Sequence, residues 1–202
     1  MKRLYSFLIA VILLLSCLSV GASAAGVTHT VVSGDSLWKI AVKYQVGLSE
    51  IIEANPQFPN PNLIYPGQKV YIPTLDSSVA SYEQKVIDLV NDIRVKNGLG
   101  KLTSNWELCR VARYKSQDMH DNRYFSHTSP TYGAPGNMIK NFGISYRTAG
   151  ENIAQGYRTP EAVVDGWMNS SGHRANILNG SFKQIGVGYV ADGNYWTQMF
   201  IG

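Results

Sequence analysis

The stretch Ser170-Ser171-Gly172-His173-Arg174-Ala175-Asn176-Ile177-Leu178 puts an imidazole directly after a polar turn and ahead of a short apolar segment. An imidazole there can cap a helix, ligate a metal, serve as a catalytic base or simply pack. Ser170 and Ser171 adjoin it, and Ser126 adjoins His127 in the same way, so a serine nucleophile beside its base is one chemistry these residue types allow. Serines next to glycines are also the usual turn and cap formers, and no Gly-x-Ser-x-Gly elbow occurs in the chain. No His-Glu-x-x-His spacing occurs either, and His127 and His173 stand 46 positions apart. His29 and His120 belong to no such pattern and are expected in surface or cap roles. Spacing alone leaves the alternatives open.

The start of the chain bears on where this chemistry would operate. Lys2 and Arg3 precede an apolar run over residues 4–15, and Ala22-Ser23-Ala24 offers small residues to a signal peptidase, so residues 1–24 read as a secretory signal peptide. Leu14-Leu15-Ser16-Cys17 also resembles a lipoprotein processing site, which would lipidate Cys17. The apolar run is too short for a comfortable transmembrane helix. Losing Lys2 and Arg3 lowers the formal charge from +4 to +2, too mild to argue for a nucleic-acid partner. Cys109 is then the one cysteine left, so no intramolecular disulfide forms. A secreted chain without disulfides suggests a bacterial exterior and a fold that relies on its core, for which 45% hydrophobic residues suffice.

Residues 28–73 read as one small unit. Residues 28–32 alternate toward a strand, and Leu37, Ile40, Ala41 and Tyr44 recur at helical spacing behind Asp35 or Ser36 as the N-cap. A second short helix fits residues 48–54, three prolines break residues 55–61, and Pro66-Gly67 turns into a strand at 69–72. Val32-Ser33-Gly34-Asp35-Ser36-Leu37-Trp38-Lys39-Ile40-Ala41, Asn55-Pro56, and Asn62-Leu63-Ile64-Tyr65-Pro66-Gly67-Gln68 closing on Ile72-Pro73 resemble a LysM domain from end to end. The resemblance implies a βααβ module that binds peptidoglycan or another N-acetylglucosamine glycan. Its groove would lie between Gly34, Asp35, Ser36 and Leu37 on one side and Asn62, Leu63, Ile64 and Tyr65 on the other. Asp35 fits equally as a helix cap, and Leu37 and Ile64 fit equally as core.

Residues 74–80 are small and polar enough to be a linker, and a second domain runs over 81–202. Ser81 to Gln84 and Ser104 to Glu107 read as capping boxes, the first opening a helix with Val86, Leu89, Val90 and Ile93 on one face. Thr159-Pro160 opens another, and residues 184–190 and 195–201 alternate like strands around Asp192-Gly193. Helices with antiparallel strands indicate an α+β fold. Four motifs in order resemble the CAP, or SCP-like, superfamily. They are Tyr124 to Pro130, Ala149 to Ala154, Trp167 to Leu178, and Gly186 to Tyr189 leading to Tyr195 to Gln198. The resemblance implies an α-β-α sandwich around a cleft.

Matching motif to motif implies cleft histidines at His127 and His173 and an acid at Glu151, while Ser170 stands where the family carries its second acid. Three readings follow. His127, His173 and Glu151 would suffice in number for a divalent cation such as zinc. Glu151 could instead orient a histidine beside Ser126, Ser170 or Ser171 in a nucleophilic arrangement. Or the three form a hydrogen-bonded cluster, with the carboxylate between two imidazoles, that ties loops together. Cys109, Trp167 and Trp196 read as core. The expectation is a secreted protein of the bacterial wall or spore envelope. Its LysM module would bind peptidoglycan and its cleft would bind a ligand or cation, with hydrolysis of wall glycan, peptide or protein as the alternative.

Overall fold

The architecture is that of a computed structural model, which describes residues 26–202. The expected signal peptide over residues 1–24, with Cys17, lies outside the described residues. Among the described residues, no helix is long and apolar enough to cross a membrane.

In the first unit, β1 (Gly26–Thr30) pairs antiparallel with β2 (Lys69–Pro73), placing His29 opposite Val70. Helices α1 (Leu37–Tyr44) and α2 (Leu48–Ala54) fold over this ribbon and bury Val31, Leu37, Ile40, Ile51, Val70 and Ile72. The order is the expected βααβ. Ser36, not Asp35, caps α1, its hydroxyl accepting from the Lys39 N–H at 3.2 Å.

The second unit opens earlier than its capping box suggests. Helix α3 (Ser77–Lys96) starts at Asp76, whose carboxylate accepts from the Ser78 N–H at 2.8 Å. A start at Ser81 would leave Val79, which packs on the core, outside the helix. The segment read as a 74–80 linker therefore shortens to residues 74–76, and its last four residues are helix. Helix α4 (Trp106–Asp121) likewise starts at Asn105, which accepts from the Leu108 N–H at 3.0 Å, because Ser104 is taken into β3 (Thr103–Ser104).

Four strands form one sheet in the order β3-β5-β6-β4, with β4 (Ala149–Gln155) at the edge. The expected strands appear as β5 (Gln184–Val190) and β6 (Tyr195–Ile201), antiparallel to each other, with Gly193 at φ 74° in the turn. Helix α4 covers one face with α5 (Pro135–Asn141); α3, α6 (Pro160–Asn169) and α7 (Ser171–Ile177) cover the other. This is the expected α-β-α sandwich. The Gly186-Val187-Gly188 alternation lets α4 lie directly on β5. A Cβ on Gly186 would meet the Leu108 carbonyl carbon at 2.3 Å, and one on Gly188 the Arg113 nitrogen at 2.1 Å. Cys109, Trp167 and Trp196 are buried as expected.

Candidate functional site

His127 sits on the loop between α4 and α5, and buried charges on α4 hold that loop. Asp118, in the last turn of α4, accepts from Ser129 Oγ at 2.7 Å, Thr131 Oγ1 at 2.5 Å and Asn122 Nδ2 at 2.8 Å, and also from the Tyr124 hydroxyl. Lys115, one turn earlier and fully buried, donates to Tyr124 Oη at 2.9 Å and to the Ser126 carbonyl at 2.7 Å. The loop is thus pinned on both sides of His127, which leaves its ring half in water. These donors also hold the Asp118 carboxyl below its ordinary range against the opposing effect of burial.

Glu151 arrives from the edge strand. His127 Nδ1 donates to Glu151 Oε1 at 2.7 Å, while Glu151 Oε2 is buried without a hydrogen-bond partner. Its neighbour Asn152 points to the other face of the sheet, where its amide donates to Gln198 Oε1 at 2.9 Å and to the His173 carbonyl at 3.2 Å. Asn176 of α7 donates to both the Glu151 carbonyl and Asn152 Oδ1. Arg94 completes the support of α7 by donating to the carbonyls of Ile177 and Asn179. His173 is therefore fixed through its backbone, and its ring makes no hydrogen bond among the described residues. A cavity of about 330 Å³ lies on the His127–Glu151 side, lined by Pro135, Tyr146 and Gly150 as well. One of about 440 Å³ lies at His173 and Ser170, walled by Phe125, Tyr157 and Trp167. A larger cavity near Arg147 and Lys183 contains none of the candidate residues.

In the small unit the two candidate loops lie side by side. The Val31 N–H donates to the Gln68 carbonyl and the Gly67 N–H donates to the Val31 carbonyl, both at 2.9 Å. Leu37 belongs to the core rather than the surface, and Ile64 packs against it. Asp35 is tied down by His29 Nε2 at 2.9 Å and the Val32 N–H at 2.9 Å, which hold its carboxyl below the ordinary range. His29 is buried between Asp35 and Tyr44 instead of lying on the surface. Gly34, Ser36, Asn62, Leu63 and Tyr65 remain accessible.

The profile of the cysteine-rich secretory protein family, CAP, matches residues 87–200. The chain belongs to the CAP family. A LysM domain profile matches residues 29–73, so a LysM module precedes the CAP domain. The uncharacterized protein YkwD of Bacillus subtilis (strain 168) is 61% identical over 126 residues, covering 62% of this chain and 49% of that protein. SpoIVD-associated factor A of the same organism is 52% identical over 46 residues, which cover 23% of this chain and 12% of that protein. The chain thus spans about half the length, or less, of these curated relatives. Among solved structures, an extracellular protein containing an SCP domain from Bacillus anthracis str. Ames is 38% identical, with a TM-score of 0.59. That match covers 67% of this chain and 47% of the other.

The geometry of the CAP cleft bears on each of the three expected readings. The Glu151 carboxylate bonds one imidazole, not two: His127 holds Oε1, and His173 is tied to the neighbouring Asn152 through its backbone carbonyl. Among the described residues, no three His, Cys, Asp or Glu side chains gather to hold a metal, so His127, Glu151 and His173 do not form a three-ligand centre for zinc. Nor does a serine hydroxyl meet a cleft imidazole. Ser126 Oγ accepts from the Thr128 N–H, and Ser170 joins α6 to α7 through its backbone, with no hydroxyl cap. What the cleft does hold is two unlike histidines. The Glu151 hydrogen bond pushes His127 above its ordinary value, while burial, aided by the His127 charge, pushes His173 below it. Sequence reasoning missed Lys115 and Asp118; their only signal was two charged residues placed three apart on the helix face that carries Leu108, Val111, Ala112 and Met119.

Proposed function

We propose that this is a secreted protein of the cell wall or spore envelope, whose LysM module binds the N-acetylglucosamine glycan of peptidoglycan and whose CAP cleft presents His127, Glu151 and His173 to a ligand. The observation that carries the anchoring role is the pair of loops stitched at Val31, Gly67 and Gln68, which leaves Leu63 and Tyr65 exposed beside small polar groups. Apolar side chains covering a sugar face and polar groups reaching its acetamido substituent are what such a ligand needs. The extracellular description of the Bacillus anthracis SCP-domain protein, 38% identical, supports an exterior setting. The test is a pull-down on insoluble peptidoglycan with fragments 25–74 and 75–202. The first is expected to sediment with the wall in moderate salt. Retention of the second fragment alone overturns the assignment.

A second reading, hydrolysis of wall glycan, peptide or protein, draws on the opposite displacement of the two histidines. His173 would take a proton from an attacking water, and His127, held protonated by Glu151, would pass one to the leaving group. Purified chain incubated with labelled walls is then expected to release soluble fragments, and His173→Ala to stop the release. Walls left intact by the unaltered chain reduce the cleft to a binding site.

A further inference from the structure

One guanidinium bridges the two domains. Arg110, on α4 of the CAP domain, donates from Nε to Glu50 Oε1 at 2.5 Å, and from Nη2 to Glu50 Oε2 and Ser49 Oγ, each at 2.9 Å. Glu50 and Ser49 belong to the first turn of α2 in the LysM module. On the CAP side the same guanidinium lies 5.3 Å from the ring centre of Tyr114 and 5.2 Å from that of Phe142. The contact is sheltered, with the Arg110 and Glu50 side chains 21% and 26% exposed. A two-pronged, partly desolvated pair of this kind is stronger and more directional than an ordinary surface ion pair.

Gly47 makes the contact specific. Its φ of −73° and ψ of 149° suit any residue, so the backbone does not require glycine there. Space does. A Cβ at this position would lie 2.2 Å from Arg110 Nε, 2.4 Å from its Cζ and 1.8 Å from Glu50 Oε2. The guanidinium occupies the room that a side chain at position 47 would take.

We infer that Gly47, Ser49 and Glu50 form a seat for Arg110 that docks the LysM module onto the CAP domain, so that the chain moves as one body with glycan loops and cleft in fixed relation. None of the candidate glycan residues takes part in the seat, so docking leaves the groove free. The inference is independent of what either site binds.

Amide ¹⁵N relaxation on the full chain, as its expression host processes it, tests the docking. A single rotational correlation time is expected for strands β1, β2, β5 and β6. Gly47→Ala is expected to lower the value for β1 and β2 severalfold while their chemical shifts, and hence the LysM fold, stay in place. Glu50→Gln should do the same in part and Arg110→Ala in full. If Arg110→Ala perturbs the CAP sheet shifts, the two LysM-side variants still decide. Independent tumbling of the unaltered chain, or unchanged coupling in Gly47→Ala, overturns the inference. Retention on peptidoglycan, measured on the same samples, is expected to survive undocking, so loss of docking and failure of the glycan assignment read out separately.

Discussion

His127 Nδ1 and Glu151 Oε1 stand 2.7 Å apart, yet the two side chains live in different media: the imidazole is 53% exposed and the carboxylate 2%. A buried carboxylate facing a half-solvated imidazole favours the imidazolium, whereas His173, without such a partner, is driven toward the neutral form. In an NMR titration, His127 is expected to have its midpoint above the ordinary 6.5 and His173 below it. Glu151→Gln is expected to bring His127 down. The stability effects have opposite signs. His127 contributes stability below about pH 6.5 that is lost as pH rises through its folded midpoint. His173 costs stability as pH falls below about 6.5, because the unfolded chain takes the proton more readily. His173→Ala should therefore flatten the acid side of a stability–pH curve; an unchanged acid limb contradicts this assignment.

Asp118 gathers four side-chain donors, three of them from the loop that carries His127 and one from the end of α4. Asp118→Ala leaves them to compete for water they reach only in part, a loss of about 1–3 kcal/mol in thermal or denaturant unfolding. The same variant should let the His127 titration drift toward the ordinary value, since the ring is no longer held on Glu151. A stability loss with an unchanged His127 midpoint would make Asp118 a brace for the fold and not for the cleft.

The absence of a three-donor set among the described residues bears on zinc. Two donors plus water bind this ion weakly, and weak binding stabilises little by mass action. Zinc in modest excess is expected to leave the melting temperature almost unchanged, and elemental analysis after dialysis to find far less than one zinc per chain. Stoichiometric zinc that survives dialysis would mean that the His173 ring moves to join His127 and Glu151.

The features that were legible in the sequence are those whose signals are local. The LysM order could be read because caps, prolines and apolar spacing lie within a few residues of the elements they shape. β5 and β6 could be read from strict alternation about Asp192-Gly193. β4 could not, because Glu151 and Asn152 inside Ala149–Gln155 look like loop residues. They are tolerated there only because His127, Gln198 and Asn176, all distant in sequence, supply partners. His29 was misplaced for the same reason, since its burial depends on Tyr44, 15 residues away. The pairing of His127 with Glu151 came from family resemblance. No spacing rule reveals a contact between a loop and an edge strand, nor that the His173 ring would make no hydrogen bond to that pair.

Leu37 and Tyr65 divide the LysM candidates into core and surface, and they can be separated by experiment. Leu37 is 2% exposed, in the same core cluster as Ile40, Ile51 and Ile72, so Leu37→Ala opens a cavity and is expected to cost about 2–4 kcal/mol of LysM stability. Tyr65 is 55% exposed and Leu63 52%, and removing either side chain should change stability by less than about 0.5 kcal/mol. Retention on insoluble peptidoglycan should show the reverse order. Tyr65→Ala and Leu63→Ala are expected to weaken it severalfold because a sugar face loses its apolar cover. Leu37→Ala should weaken it only as far as the module unfolds at the assay temperature. Unfolding curves and pull-downs on the same samples separate the two effects. If Tyr65→Ala and Leu63→Ala both bind like the unaltered chain, the glycan does not lie against this loop.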